Sequence, residues 1–117
     1  MNTLLIINDA PYGSEKAYNA LRIAGQLGKD HPETGVRIFL LADAVGCALS
    51  NQITPNGYYN IERMLKIVLQ RGAEVKLCGA CTEARGLKSL PLMEGCQISN
   101  MAELAQWIVD SDKVLNF

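Results

Sequence analysis

Strand-like apolar segments alternate with segments of helical spacing along the whole chain, and this alternation restricts the fold more than any other feature. The run from Leu4 to Ile7 is unbroken aliphatic, which is typical of a parallel strand buried on both faces. Ala17, Leu21 and Ala24 then recur at spacings of three and four, as on one face of a helix. Because parallel neighbours require crossover connections, the pattern predicts a three-layer α/β fold: an open, mostly parallel sheet of five strands with helices on both faces.

Turn and capping residues predict where these segments begin and end. We expect strands at residues 4–7, 36–41, 74–78, 97–98 and 113–117. Residues 87–95 have no clear pattern. The expected helices are one capped by Ser14 and ended by Gly28, a short one from Asp43 to Leu49, one capped by Asn60 and ended by Gly72, a short one at residues 82–85, and one capped by Asn100 with Glu103 reaching back to the cap.

Length and composition predict one soluble domain spanning residues 1–117. Apolar types make up 49% of the chain, which is enough for an ordinary core. Eleven basic and twelve acidic residues give a formal charge of −1, which argues against nucleic acid as the main partner. No apolar run approaches the ~20 residues of a membrane span, and no leader pattern precedes the first strand, so we expect a cytoplasmic protein without membrane contact.

The four cysteines are Cys47, Cys78, Cys81 and Cys96, a density typical of free thiols in a reducing compartment. A structural zinc site needs about four ligands, and the remaining Cys47, Cys96 and His31 offer no second pair at suitable spacing. There is also no glycine-rich nucleotide motif. We therefore expect neither a metal nor a cofactor.

Cys78-Gly79-Ala80-Cys81 is the sharpest local signal, because it lies at a predicted strand end just before a short helix. Unpaired N–H groups there would favour a thiolate, the nucleophilic form, and Arg85 and Lys88 would add positive potential. We therefore expect Cys78 to be the reactive thiol and Cys81 an auxiliary or resolving thiol. The alternative is that both are small buried apolar residues.

A polar turn follows the first strand and is expected at the same sheet edge. Its substrate-binding candidates are Asp9, Tyr12, Ser14 and Glu15, to which Thr82 and Arg85 beside the cysteines are added. The acidic members could orient a substrate or supply a proton. The alternative is an ordinary turn with a helix cap, since proline, glycine and serine are all turn residues.

Four segments together resemble the DsrE/DsrF-like family over essentially the whole chain: residues 10–15, 57–61, 76–86 and 103–107, the last followed by Asp-Lys-Val-Leu-Asn-Phe. The resemblance implies a five-stranded parallel sheet between helical layers and subunits that form trimers stacked into hexamers. It also implies sulfur carried as a persulfide on a cysteine at the end of the third strand, a position that Cys78 matches. Sulfur donor and acceptor proteins would then be the partners.

Three functions are compatible with these residues. The first is a sulfur carrier or sulfurtransferase-like protein that accepts sulfur on Cys78. The second is a dithiol oxidoreductase in which Cys78 and Cys81 form a redox couple. The third is a non-catalytic oligomeric binding or scaffold protein in which the cysteines only pack.

Overall fold

Five parallel strands form one sheet in the order β4-β3-β2-β1-β5 in the computed structural model, which describes residues 1–117. Every neighbouring pair is parallel, so the predicted α/β class and parallel sheet are confirmed. The elements are β1 (Asn2–Ile7), α1 (Lys16–Asp30), β2 (Gly35–Leu40), a 3₁₀ helix (Ala42–Ala48), α2 (Ile61–Gln70), β3 (Glu74–Cys78), α3 (Gly79–Ala84), β4 (Cys96–Ser99), α4 (Met101–Asp110) and β5 (Lys113–Asn116).

The helices divide between the two faces of the sheet. The chain moves from β1 to β2, β3 and β4 in one direction across the sheet and then returns to β5. Since parallel crossovers are right-handed, α1, α2 and α3 lie on one face and α4 on the other, giving three layers. On the α4 face, Trp107 packs edge-on against Phe39 of β2, with ring centroids 6.2 Å apart.

The core lies where the central strands meet α1 and α2. Leu4, Leu5 and Ile38 are fully buried, as expected for strands covered on both faces. Helix α1 contributes small residues, Ala17, Ala20 and Ala24 among them, which let its backbone approach the sheet closely. None of the helices is both long and apolar enough to cross a lipid bilayer.

The start and end of α1 differ from the prediction. Glu15, not Ser14, occupies the N-cap, and its side chain makes no capping bond. The Ser14 hydroxyl instead donates to Asp9 and accepts a long bond, 3.3 Å, from the N–H of Lys16. The helix also continues through Gly28 to Asp30, because Gly28 serves close packing: a Cβ there would lie 3.4 Å from Cδ of Arg71.

Of the two capping bonds predicted for α4, only one is present. The Asn100 side chain accepts the N–H of Glu103, but Glu103 does not reach back to the cap. Its carboxylate accepts instead from the Ser99 hydroxyl and, at 3.3 Å, from Lys76. The carboxylate is therefore held away from the cap by Lys76 of β3. The bond from the Ser99 hydroxyl and, to a smaller extent, the bond from Lys76 lower the pKa of Glu103.

Candidate functional site

Cys78 is the last residue of β3 and lies at the carboxyl edge of the sheet. It is paired in register with Ser99 of β4, while β2 ends one position earlier at the Leu40–Leu77 pair. Ligands and reactive groups of open parallel sheets collect at this edge. The structure therefore places Cys78 where the sequence predicted it.

Cys78 is also the N-cap of α3. Its Sγ accepts the N–H of Cys81, with N and Sγ 3.2 Å apart. The Thr82 hydroxyl donates to the Cys78 carbonyl at 2.7 Å and is itself buried. Helix α3 therefore starts at Gly79 rather than at residue 82, and it brings Cys78, Cys81 and Thr82 together.

Gly79 allows this tight turn from strand into helix. A Cβ at this position would lie 3.1 Å from Cγ2 of Ile98 and 3.3 Å from the Ser99 carbonyl, both on β4. Such distances leave no room for a side chain unless the neighbours shift. The glycine is therefore explained by close packing of α3 on β4, which keeps Cys81 over the strand end.

Burial, more than charge, controls the acidity of Cys78. The residue is 7% exposed, and desolvation raises the pKa of its thiol above the ordinary 9.0. The neighbouring thiol of Cys81 raises the pKa further, whereas the N–H groups of Cys81 and Ala80 lower it. The expected thiolate stabilisation is present but smaller than the effect of burial, so the thiol is protonated near neutral pH.

The two cations near the cysteines are already paired. Nε of Arg85 donates to Asp43 at 2.8 Å, and its Nη1 donates to the Cys81 carbonyl at 3.1 Å. Lys88 lies 3.2 Å from Glu83, and both side chains are largely exposed. Arg85 therefore contacts the cysteine segment directly, whereas Lys88 pairs with Glu83 of α3.

The polar turn after β1 forms a separate cluster. Asp9 accepts from Ser14 at 2.7 Å and lies 4.0 Å from Lys16. The Tyr12 hydroxyl donates to Gln52 and accepts the N–H of Ile61, and its ring is stacked on Tyr59. These contacts brace the turn against the loop that leads into α2.

Glu15, the last candidate in the turn, is exposed and makes no capping bond. The structure therefore joins Thr82 and Arg85 to the cysteines and shows no hydrogen bond from the polar turn to them. One contact that sequence reasoning missed is that of Asp43, which lies three residues beyond the end of β2 and was expected only to begin a short helix. Its position at the same predicted edge was the available signal.

The other two cysteines differ in burial. Cys47 of the 3₁₀ helix is fully buried, and desolvation raises the pKa of its thiol to about 12. Cys96 at the start of β4 is partly buried, and desolvation raises its pKa to about 11. All four cysteines are free thiols, and no three metal-ligating side chains converge on a common point.

An open groove of about 670 Å³ lies on the outer surface between α1 and α2. Arg22, Lys29 and Arg71 line it together with apolar residues that include Ile67, and no cysteine lines it. The groove is therefore separate from the cysteine edge.

One protein family matches the sequence over its whole length. The DsrE/DsrF-like family model matches residues 1–117, and the chain belongs to that family.

Among individual proteins, Escherichia coli YchN is 44% identical over 114 residues, covering 97% of both chains. An uncharacterized protein of Methanocaldococcus jannaschii is 41% identical over the full length of both chains. The crystal structure of E. coli YchN superposes with a TM-score of 0.92 and covers 100% of both chains. A Bacteroides thetaiotaomicron protein of unknown function is 19% identical with a TM-score of 0.69, a likeness of fold alone.

Proposed function

We propose that this chain is a sulfur carrier that takes up a sulfane sulfur on Cys78 as a persulfide and passes it to a thiol of a partner protein. The observation that carries the proposal is the placement of Cys78 at the end of β3, with the N–H of Cys81 on its sulfur. Membership of the DsrE/DsrF-like family supports it, since the resemblance implies a persulfide at this strand end.

The two transfer steps are thiol exchange at sulfur. In loading, the Cys78 thiolate attacks the outer sulfur of a donor persulfide, and the donor leaves as a thiolate. In delivery, an acceptor thiolate attacks the outer sulfur on Cys78, and the Cys78 thiolate leaves. Atoms and electrons balance in both steps, so neither step requires a cofactor.

The raised pKa of Cys78 suits a carrier better than a fast catalyst. A thiol with a high pKa is a poor leaving group, so sulfur held on Cys78 is passed on slowly. A protonated thiol also resists adventitious oxidation before loading. Both properties favour storage of one sulfur atom over rapid turnover.

Partners and location belong to the same proposal. We infer a homo-oligomer, a trimer or hexamer, that meets sulfur donor and acceptor proteins in the cytoplasm and binds neither nucleic acid nor membrane. Exposed apolar residues support self-association: Met101 and Val109 of α4 are 60% and 78% exposed, and β5 is an exposed edge strand. Thr82 and Arg85 would shape the sulfur site, and Asp9, Tyr12, Ser14 and Glu15 would line the neighbouring turn.

A second candidate function is a dithiol oxidoreductase. The observation that favours it is the pairing of Cys78 and Cys81 across one helical turn, which is a spacing compatible with an internal disulfide. Equilibration with reduced and oxidised glutathione separates the two functions. A reversible internal disulfide without retained persulfide would favour the oxidoreductase.

The carrier function is tested by incubating the protein with a small-molecule persulfide donor and measuring its intact mass. We expect the wild type and Cys47→Ala to gain the mass of one sulfur atom and Cys78→Ser to gain none. Serine at position 78 can still accept the N–H of Cys81, so this variant keeps the helix cap. A wild type that gains no sulfur, or a Cys78→Ser variant that gains as much, would contradict the proposal.

A further inference from the structure

Asp43 lies at the cysteine edge although it is far from the cysteines in sequence. Ala42, the first residue of the 3₁₀ helix, has a left-handed φ of +51°, which is unfavourable by roughly 1 kcal/mol for a residue with a side chain. This turn leads directly into Asp43. The Asp43 carboxylate accepts Nε of Arg85, 42 positions later in the chain.

Arg85 is the link between Asp43 and the reactive segment. Its guanidinium donates from Nε to Asp43 at 2.8 Å and from Nη1 to the carbonyl of Cys81 at 3.1 Å. The Arg85 and Asp43 side chains are 35% and 67% exposed, and those of the other ion pair of α3, Lys88 and Glu83, are 79% and 60% exposed, so the two pairs differ mainly in the burial of the cation. Only the first pair contacts the backbone of a cysteine.

Helix α3 needs such a tether because it is short. It has six residues, from Gly79 to Ala84, and Gly86 two positions later has a φ of +68°. An isolated helix of this length is not stable in water, so its position depends on tertiary contacts. At one end the Thr82 hydroxyl holds the Cys78 carbonyl, and at the other Arg85 holds the chain to Asp43.

We propose that Asp43 and Arg85 are positioning residues that hold Cys81 against Cys78 and thereby set how fast Cys81 displaces sulfide from a loaded Cys78. This inference rests on the proposed carrier function. Neither residue touches the reacting sulfurs, and both act through the backbone of Cys81.

The step is balanced without an external oxidant. The Cys81 thiolate attacks Sγ of the Cys78 persulfide, the bond between Sγ and the outer sulfur breaks, and the outer sulfur leaves as hydrosulfide. The two cysteine sulfurs become a disulfide, so they are oxidised while the carried sulfur is reduced to sulfide. Reduced glutathione returns the disulfide to two thiols.

The test compares Asp43→Asn with wild type and with Glu83→Gln, which removes the other ion pair of α3. The protein is loaded with a small-molecule persulfide donor, freed of excess donor, and followed by sulfide release and intact mass. We expect Asp43→Asn to load fully but to release sulfide about two- to fivefold more slowly, as for the loss of an ion pair near the surface. Glu83→Gln should release at the wild-type rate.

The fork geometry of Arg85 provides a second comparison. Arg85→Lys keeps the positive charge but cannot bond Asp43 and the Cys81 carbonyl side by side, so it should behave like Asp43→Asn. Thermal unfolding midpoints close to wild type would show that the variants are folded. Wild-type release from both variants, or equal slowing in Glu83→Gln, would overturn the positioning role.

A parallel measurement keeps this inference distinct from the carrier function. The equilibrium between the Cys78–Cys81 dithiol and its disulfide in glutathione buffers needs no persulfide. We expect disulfide formation in Asp43→Asn to be disfavoured about two- to fivefold relative to Glu83→Gln. If wild type takes up no sulfur, the carrier function fails, but this equilibrium still decides whether Asp43 positions Cys81. Equal equilibrium constants in the two variants would overturn the positioning role of Asp43.

Discussion

Cys78 and Cys47 occupy two contrasting environments in the same molecule. Cys78 ends a strand and accepts an N–H from the start of a helix, with a second thiol beside it. Cys47 is 0% exposed within the 3₁₀ helix, and burial raises its pKa to about 12. Burial raises the pKa of both thiols, so burial alone does not distinguish them. The contrast teaches that a cysteine's chemistry depends on the backbone groups and thiols around it.

The largest difference is expected in the rates at which the thiols react with a small alkylating reagent. Cys81 is partly exposed, whereas Cys47 reacts only when the structure opens locally. We expect native Cys81 to be labelled on the order of 100-fold or more faster than Cys47. Peptide mass spectrometry after timed labelling measures both rates.

Labelling in concentrated urea supplies the control, since all four cysteines should then react at similar rates. Comparable labelling rates at Cys47 and Cys81 in the native protein would contradict the distinction between a buried and an accessible thiol.

The second comparison concerns alkaline pH and the buried thiols. Above pH 9, an unfolded cysteine with the ordinary pKa of 9.0 loses its proton, while folded Cys47 keeps it up to about 12. The unfolded state then binds fewer protons, so the free energy of unfolding falls as pH rises, by about 1.4 kcal/mol per pH unit for such a thiol. Urea denaturation in reducing buffer between pH 9 and about 11 measures the slope.

Cys47→Ala removes this group, and its stability should fall less steeply over the same pH range. Parallel slopes for the variant and wild type would show that burial of Cys47 does not govern the alkaline loss of stability.

The third comparison makes the same substitution at both positions. Cys47→Ser places a hydroxyl in a fully buried position and should lower the free energy of unfolding by about 1–3 kcal/mol. Cys78→Ser should change it by no more than about 0.5 kcal/mol, because serine is a good N-cap for α3. Urea denaturation at neutral pH gives both values, and a larger loss at position 78 would contradict the capping role of that side chain.

The sheet could be predicted from the sequence because the central strands β1 and β2 contain runs of buried apolar residues between turn signals. The predicted third strand coincides with β3, Glu74–Cys78, and the fifth exceeds β5 by one residue. Helix ends were less predictable at glycines: Gly28 lies inside α1 and Gly79 begins α3, since both meet a close neighbour rather than ending a helix.

The position of the cysteine site could be predicted from the sequence, but the pKa of Cys78 could not. The end of a parallel strand is visible in the sequence, so Cys78 and Cys81 were expected at the sheet edge. Burial of Cys78 is a tertiary property, and it raises the pKa of the thiol more than the predicted backbone N–H groups lower it. The Asp43–Arg85 contact could not be predicted as a pair, because its partners are 42 positions apart in the chain.

The most direct test of the account is to locate the carried sulfur among the four cysteines. The protein is loaded with a persulfide donor, its persulfides are trapped by alkylation, and the peptides are quantified by mass spectrometry. The account predicts trapped persulfide on Cys78, and none on Cys47 or Cys96. Persulfide spread evenly over the cysteines, or confined to Cys81, would contradict it.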